Sequence, residues 1–117
     1  MDLRIDVGQQ GSWTVLGVGG EIDVATAPRL RDQMIAALSE GKHNLVVNLE
    51  AVDFIDSTGL GVLISGLKRV KTHGGEFRLV SAEQRLLKIF EITGLDAVFN
   101  IHPSVDEATA QPPSPGI

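Results

Sequence analysis

Alternating apolar and polar residues open the chain and predict a β-hairpin. Residues 3–7 alternate with a period of two, and residues 13–18 form a second strand-like segment after a Gly-Ser turn. A period of two places the apolar side chains on one face of a strand. We therefore expect two antiparallel strands at the start of the chain.

Apolar residues at helical spacing predict three longer helices and a short one. The first begins after Thr26, an expected N-cap, and ends before Gly41. The second lies between residue 57 and a glycine pair, the third spans about residues 83–93, and the last about residues 104–110. The apolar stripe of the second helix has the spacing i, i+3, i+4, i+7 and consists of Leu60, Leu63, Ile64 and Leu67.

Short apolar segments between the helices predict the remaining strands. Residues 45–49 are almost continuously apolar, which is typical of a central strand covered on both faces. Residues 77–80 and 98–101 predict two more strands, and residues 50–56 a link. Strands that alternate with helices pair in parallel, so the predicted fold class is α/β: a mixed sheet, with an initial hairpin plus parallel strands, and helices packed on one face.

Composition bounds the protein class. The chain has 117 residues, a formal net charge of −5, 43% hydrophobic residues and no cysteine. This predicts one domain over residues 1–110 and a disordered proline-rich tail over 111–117. The acidic balance disfavours nucleic acid, and the apolar runs are far below the ~20 residues of a membrane span. Without a signal peptide, we expect a cytoplasmic protein.

The link after the central strand carries the most informative polar residues. Ser57 lies where the second helix begins, Asp53 and Asp56 precede it, and Gly59 and Gly61 follow within the first helical turns. Partner sites of such sheets lie beyond the carboxyl ends of parallel strands. Ser57 is either a modified hydroxyl or a simple N-cap. The glycines either keep the surface flat for a partner or allow close packing of the helix on a strand.

A second polar spot follows the second strand. Asp23 and Thr26 are expected at the same end of the sheet as Ser57, as part of one interaction face, although turn and capping chemistry also explains them. The preceding segment, Gly17-x-Gly19-Gly20, resembles half of a nucleotide-binding loop. The third glycine of that loop is missing, so no cofactor is predicted.

No catalytic or metal-binding pattern is found in the sequence. His43, His73 and His102 are far apart along the chain and show no metal-ligand spacing with carboxylates. A hydrolase with Ser57 as its nucleophile would lack an identifiable base and oxyanion-hole motif. We therefore predict that the chain is not an enzyme and has neither catalytic residues nor a metal site.

Several segments together resemble the anti-sigma factor antagonist family, the stand-alone STAS domain. They are residues 20–23 (G-E-I-D), 26–30, 44–49 and 52–63, the last containing D-S-T-G-L-G. The resemblance covers nearly the whole chain. It implies a mixed sheet and a partner-switching role in which this chain catalyses nothing.

The resemblance also implies the partners and the functional residues. The unphosphorylated protein would bind an anti-sigma factor that is also an ATP-dependent serine kinase and would release the sigma factor. The kinase would then phosphorylate Ser57 in preference to Thr58, and a PP2C-type phosphatase would restore the active form. The predicted partner-binding residues are Asp23, Thr26, Asp56, Ser57, Thr58, Gly59, Leu60 and Gly61.

The alternative from the same length and pattern is a phospho-aspartate receiver domain. A receiver needs an acidic cluster and a helix after its first strand, where this chain predicts a second strand. For the oligomeric state we expect a monomer or a weak homodimer through an exposed sheet edge or face.

Overall fold

Five strands and four α-helices make up residues 2–113, the part of the chain that the computed structural model describes. The strands are β1 (Leu3–Gln10), β2 (Trp13–Ile22), β3 (Leu45–Ile55), β4 (Phe77–Val80) and β5 (Asn100–His102). The helices are α1 (Ala27–Ser39), α2 (Ser57–Thr72), α3 (Gln84–Ile92) and α4 (Val105–Thr109). Every predicted element is therefore present, some with different bounds.

The strands form one mixed sheet in the order β1-β2-β3-β4-β5. β1 and β2 pair antiparallel, and the other three pairs are parallel. This confirms the predicted α/β fold class, a mixed sheet with β3 as the central strand, although one helix, α4, packs on the face opposite the other three. It also separates the protein from a receiver domain, because the first strand is followed by its hairpin partner and not by a crossover helix.

The main core lies between the sheet and helices α1, α2 and α3. Leu16, Val47 and Leu79 point into it from three neighbouring strands, and each is fully buried. Burying a side chain of this size contributes about 1.5–3 kcal/mol. The opposite face carries a smaller cluster under the short helix α4, made of Trp13, Val46, Val80 and Ala108.

The predicted link over residues 50–56 is wrong, because β3 continues as a strand to Ile55. Beyond the span opposite β4, β3 still pairs with β2, where Ile22 lies opposite Ile55. Backbone hydrogen bonding extends the strand here, although the side chains of Asp53 and Phe54 are exposed and break the apolar run. β3 therefore reaches well past β4.

β2 is likewise four residues longer than predicted. Gly17, Gly19 and Gly20 are paired within it, opposite residues of β1, so they form no nucleotide-binding loop. Gly20 has a φ of +100° and lies so close to the Asp2 carbonyl that a Cβ atom would collide with it. The register between β2 and β3 shifts on either side of this position.

The C-terminal elements lie close to their predicted positions. Glu83 and Ser104 cap α3 and α4 with their side chains, so both helices begin one residue after the predicted start. β5 begins later than predicted, because residues 95–97 form a 3-10 turn to which the N–H of Phe99 still donates. Within the described range, no helix combines the length and the hydrophobicity needed to cross a membrane. Of the predicted tail, residues 114–117 lie outside the described residues.

Candidate functional site

Ser57 is the first residue of α2, and Asp56 is the N-cap. The Oδ1 atom of Asp56 accepts a hydrogen bond of 2.9 Å from the N–H of Gly59. The interpretation of Ser57 as a capping residue is therefore wrong. The Ser57 side chain is exposed, and its hydroxyl forms no hydrogen bond with any residue of 2–113.

Asp56 also joins α2 to the loop between β2 and α1. Its second carboxylate oxygen, Oδ2, accepts a hydrogen bond of 3.1 Å from the N–H of Val24. One carboxylate therefore holds two segments that lie more than 30 residues apart in the sequence. The expectation that this loop lies at the same end of the sheet as Ser57 is confirmed.

Local hydrogen bonds fix the conformation of the β2–α1 loop. The Oδ1 atom of Asp23 accepts from the N–H groups of Ala25 (2.9 Å) and Thr26 (3.0 Å). The Thr26 hydroxyl accepts from the N–H of Asp23 (2.9 Å) and donates to the carbonyl of Glu21 (2.7 Å). Thr26 lies at the N-cap position of α1, but its side chain makes no capping hydrogen bond. It stabilises the loop instead.

These hydrogen bonds also affect the charge of the loop. The backbone N–H of Thr26 is the main cause that holds the pKa of the Asp23 carboxyl below its ordinary value. The loss of surrounding water raises this pKa in part, and hydrogen bonds from the Thr26 hydroxyl and the Ala25 N–H lower it further. Asp23 is therefore ionised at neutral pH.

The predicted partner-binding residues divide into a surface set and a supporting set. Ser57, Thr58 and Gly61 are exposed, and Asp23 and Asp56 are partly exposed. Thr26, Gly59 and Leu60 are buried, with Thr26 only 6% exposed. The buried three lie beneath the surface, where they support the residues that a partner could touch.

The structure assigns different roles to Gly59 and Gly61, the two glycines in the first turns of α2. A Cβ atom on Gly59 would lie 2.7 Å from the Ile55 side chain and 2.9 Å from the Ile22 carbonyl. A Cβ atom on Gly61 would meet nothing within 4 Å. Close packing therefore explains Gly59, and an open surface beside Ser57 is left at Gly61.

Two exposed apolar residues near Ser57 were missed in the sequence. Val24 is 70% exposed, and its N–H donates to Asp56; Phe54 is 47% exposed and precedes Asp56 by two residues. Both lie outside any periodic apolar stripe and next to acidic residues. The sequence could have revealed them by this position, because an apolar residue that belongs to no core-facing stripe is a candidate contact for a partner.

The surface around Ser57 is acidic. Glu21, Asp23, Asp53 and Asp56 lie on the ends of β2 and β3 and the segments that follow them. None of the four forms an ion pair with another residue of the described range. A protein that docks here needs a complementary, basic contact surface.

Within residues 2–113, the surroundings of Ser57 contain no histidine and no cluster of metal-binding side chains. The rings of His43 and His73 contact each other at a tilt of 43°, with centroids 4.9 Å apart. They lie near the start of β3 and the end of α2, at the end of the molecule opposite Ser57. Among residues 2–113, no group of three or more histidine or acidic side chains could hold a metal ion. The hydroxyl of Ser57 has no base bonded to it in that range, which gives no support to a serine hydrolase.

Comparison with known proteins gives consistent matches over almost the whole chain. The family model of the STAS domain matches residues 4–108. The anti-sigma-B factor antagonist of Bacillus subtilis (strain 168) is 38% identical over 101 residues, which cover 86% of this chain and 92% of that protein.

Solved structures show the same architecture. An anti-sigma factor antagonist from Mycobacterium paratuberculosis superposes with a TM-score of 0.85 at 30% identity, covering 93% of this chain and 92% of the other. The phosphorylated form of the Bacillus cell fate determinant SpoIIAA gives a TM-score of 0.70 at 20% identity, over 92% of this chain and 97% of that one. The second likeness concerns the fold alone.

Proposed function

The chain belongs to the STAS domain family and, within it, to the anti-sigma factor antagonists, and from this membership we propose that it is a phosphorylation-controlled binding protein. Unphosphorylated, it binds an anti-sigma factor with serine kinase activity, and the sigma factor is released. Phosphorylation of Ser57 ends the binding, and a PP2C-type phosphatase reverses it. This exchange takes place in the cytoplasm.

The observation that carries the proposal is the free hydroxyl of Ser57. It is exposed at the first position of α2 and has no hydrogen-bond partner within residues 2–113. Its backbone is held in place by the Asp56 cap. A kinase can therefore reach the hydroxyl without unfolding the helix or breaking an existing side-chain bond.

In the transfer step, the Ser57 oxygen forms a bond to the γ-phosphorus of ATP. The bond from that phosphorus to the bridging oxygen breaks, ADP leaves, and the hydroxyl proton passes to a base of the kinase. Thr58 is exposed as well, so exposure alone does not choose between them. The position in the D-S-T-G motif favours Ser57.

The phosphate acts on association and leaves the fold intact. It adds about −1.5 to −2 of charge beside Asp56 and Asp23, which opposes contact with a partner that fits the acidic surface. The same phosphate lies at the positive end of the α2 dipole, where free N–H groups stabilise an anion. We therefore expect nearly identical circular dichroism for the protein and its phosphorylated form; a large loss of helix would contradict this mechanism.

The apolar residues beside Ser57 supply the binding free energy that an acidic surface lacks. Val24 and Phe54 can be buried by the partner, and Gly61 leaves room for its backbone to approach α2. Apolar anchors surrounded by charged residues are the usual arrangement of a specific interface. The acidic residues around them determine the orientation of the partner.

The test compares Ser57→Ala and Ser57→Glu as baits in a quantitative pull-down from lysate of the native host, with retained proteins identified by mass spectrometry. We expect Ser57→Ala to retain a histidine-kinase-like ATPase. That ATPase is then purified, and its affinity for each variant is measured by calorimetry. Ser57→Glu should bind it at least about tenfold more weakly than Ser57→Ala does.

Thr58→Ala is the matched control, because its hydroxyl is exposed one residue away. With the purified kinase and radiolabelled ATP, Thr58→Ala should be phosphorylated like the wild type, whereas Ser57→Ala should not be phosphorylated. Equal affinity of the Ala and Glu variants, or phosphorylation of Ser57→Ala, would overturn the proposal.

A further inference from the structure

β1 forms an open edge of the sheet. It is the outermost strand, with β2 on one side and no strand of residues 2–113 on the other. It is eight residues long, whereas the strand at the opposite edge, β5, has three. A long outer strand presents main-chain N–H and C=O groups that can pair with another strand. β1 is therefore the place where this sheet can be extended.

The main-chain groups that face the open edge belong to the odd-numbered residues of β1. The carbonyl of Asp2 accepts a hydrogen bond of 3.1 Å from the N–H of Glu21, so Asp2 and every second residue after it face β2. The N–H of Leu3 instead donates to the side chain of Asp2, at 3.0 Å. Leu3, Ile5 and Val7 therefore direct their N–H and C=O groups away from β2.

Val7 leaves an apolar side chain uncovered at this edge. Leu3 is buried and Ile5 packs against the main core, but Val7 is 51% exposed. A groove of about 190 Å³ lies between Val7 and α1, so this helix does not cover the side chain. A second strand laid along β1 would remove part of Val7 from water, which favours association.

Arg4 and Asp6 place opposite charges on the other face of β1. Both are exposed, and neither forms an ion pair with another residue of the described range. The Arg4 guanidinium lies over Gly19, where a Cβ atom would be 2.6 Å from its Nη2 atom, and no hydrogen bond within that range holds it there. It is therefore free to turn toward the edge.

These charges select one register for two antiparallel copies of β1. With Ile5 opposite Ile5 of the second copy, Arg4 lies opposite Asp6 of the second copy, and this pair forms twice. The outward groups of residues 3, 5 and 7 then meet and form about six main-chain hydrogen bonds. Sliding one strand by two residues brings Arg4 opposite Arg4 or Asp6 opposite Asp6. Sliding it by one residue separates the outward groups.

We propose that the chain associates with a second copy of itself through β1, in an antiparallel pair centred on Ile5 that joins the two sheets into one. Val7 then lies beside Leu3 of the second copy. The contact does not include Ser57, and the two Ser57 residues lie on opposite sides of it, so the association does not depend on the function proposed above. Because the contact is small, we expect a transient dimer with a Kd of about 0.1–1 mM.

Charge reversal tests both the contact and its register. Arg4→Asp places aspartates opposite each other, and Asp6→Arg places arginines opposite each other, so each variant alone should dimerise about tenfold more weakly than the wild type. Mixed in equal amounts, the two variants should form a heterodimer as stable as the wild-type dimer, because each aspartate then meets an arginine. Sedimentation equilibrium at low salt measures the three cases on the full chain.

Arg85→Asp is the matched control, because it makes the same change of charge at a position on α3 whose side chain is 80% exposed. It should dimerise like the wild type, and circular dichroism checks that every variant is folded. The proposal is overturned if the wild type stays monomeric up to about 1 mM. It is also overturned if Arg4→Asp and Arg85→Asp associate alike, or if the mixture associates no better than the separate variants.

Discussion

The carboxylate of Asp56 is the residue on which the geometry around Ser57 depends most. It caps α2 through Gly59 and holds the neighbouring loop through Val24. Its own N–H still pairs with the carbonyl of Ile22, so the residue stays extended at the end of β3. Strand and helix therefore meet at one residue, and Ser57 follows immediately.

Replacing Asp56 by Ala should lower the free energy of unfolding by about 1–2 kcal/mol, because two N–H groups lose their acceptor. Asn, which keeps one acceptor oxygen, should lose less. Urea denaturation measures both. Asp53→Ala is the control, since that exposed carboxylate makes no hydrogen bond within residues 2–113. Equal losses for Asp56→Ala and Asp53→Ala would rule out the double role of Asp56.

Asp23 makes the stability of the β2–α1 loop dependent on acid. Its pKa is lowered in the folded protein by hydrogen bonds from the backbone of Thr26. The unfolded chain therefore binds the proton more readily, and the stabilisation is complete above the unfolded pKa and lost as pH falls through the folded pKa. We expect the difference in unfolding free energy between wild type and Asp23→Ala to shrink as pH is lowered from neutral to strongly acidic. A difference independent of pH would contradict this.

The sequence alone placed Ser57 at the start of the second helix, but it could not decide whether Ser57 or Asp56 is the N-cap. Ser and Asp are equally good N-caps, and the two residues are adjacent. The choice depends on where β3 ends, which is set by its pairing with β2 and not by its own residues. Phe54 and Val24 were missed for a related reason, because exposure is a property of the packed molecule.

At the scale of elements, the first turns of α2 contain a packing glycine, Gly59, and an open one, Gly61, and the two make a matched experiment. Gly61→Ala should raise the free energy of unfolding by up to about 1 kcal/mol, since alanine favours the helix and its Cβ meets nothing. Gly59→Ala should lower it by about 1–3 kcal/mol, because Ile22 and Ile55 block the Cβ. Chemical denaturation of the two variants checks both signs.

The same pair tests the surface role of Gly61. If the open space serves the approach of a partner, Gly61→Ala should be more stable than the wild type and yet bind the proposed kinase partner more weakly. Unchanged kinase affinity would show that the space is not part of the interface.

The bounds of the helices and the short strands were better predicted than those of the long strands β2 and β3. β4 agrees with the apolar segment residue for residue, because both of its faces are covered. The last parts of β2 and β3 lack an apolar run, since they contain glycines and exposed acidic residues. Strand pairing makes these residues extended: β2 pairs with β1 as far as Gly20, and the last residues of β2 and β3 pair with each other. The second contact joins segments that are distant in sequence.

At the scale of the whole molecule, α4 covers part of the second sheet face and is fixed by Trp13 and Arg78. The Trp13 ring is buried, its Nε1–H donates to the carbonyl of Gln111 at 3.1 Å, and the Arg78 guanidinium lies 4.4 Å from the ring centre. Arg78 also donates to the carbonyl of Ala108 at 2.8 Å. The sequence predicted this helix but not its position, because its partner Trp13 lies more than 90 residues away.

Ala108→Asp should displace α4 and expose Trp13, since the new carboxylate would be buried among Trp13, Val46 and Val80. Tryptophan fluorescence should shift to longer wavelength, and the chain has one tryptophan to report it. Ala110→Asp, at an exposed position after α4, should leave the emission unchanged. Identical spectra for the two variants would show that α4 does not shield the ring.

The length of β2 has a practical consequence for experiments on single molecules and surfaces. Trp13 and Gln111 lie at the start of β2, and Ser57 lies beyond the other end, so the two sites are separated by about the 30 Å length of that strand. A dye, a tether or a sensor chip attached near residue 111 would therefore leave the exposed Ser57 hydroxyl facing free solution, accessible in turn to the kinase and the phosphatase that we propose for it.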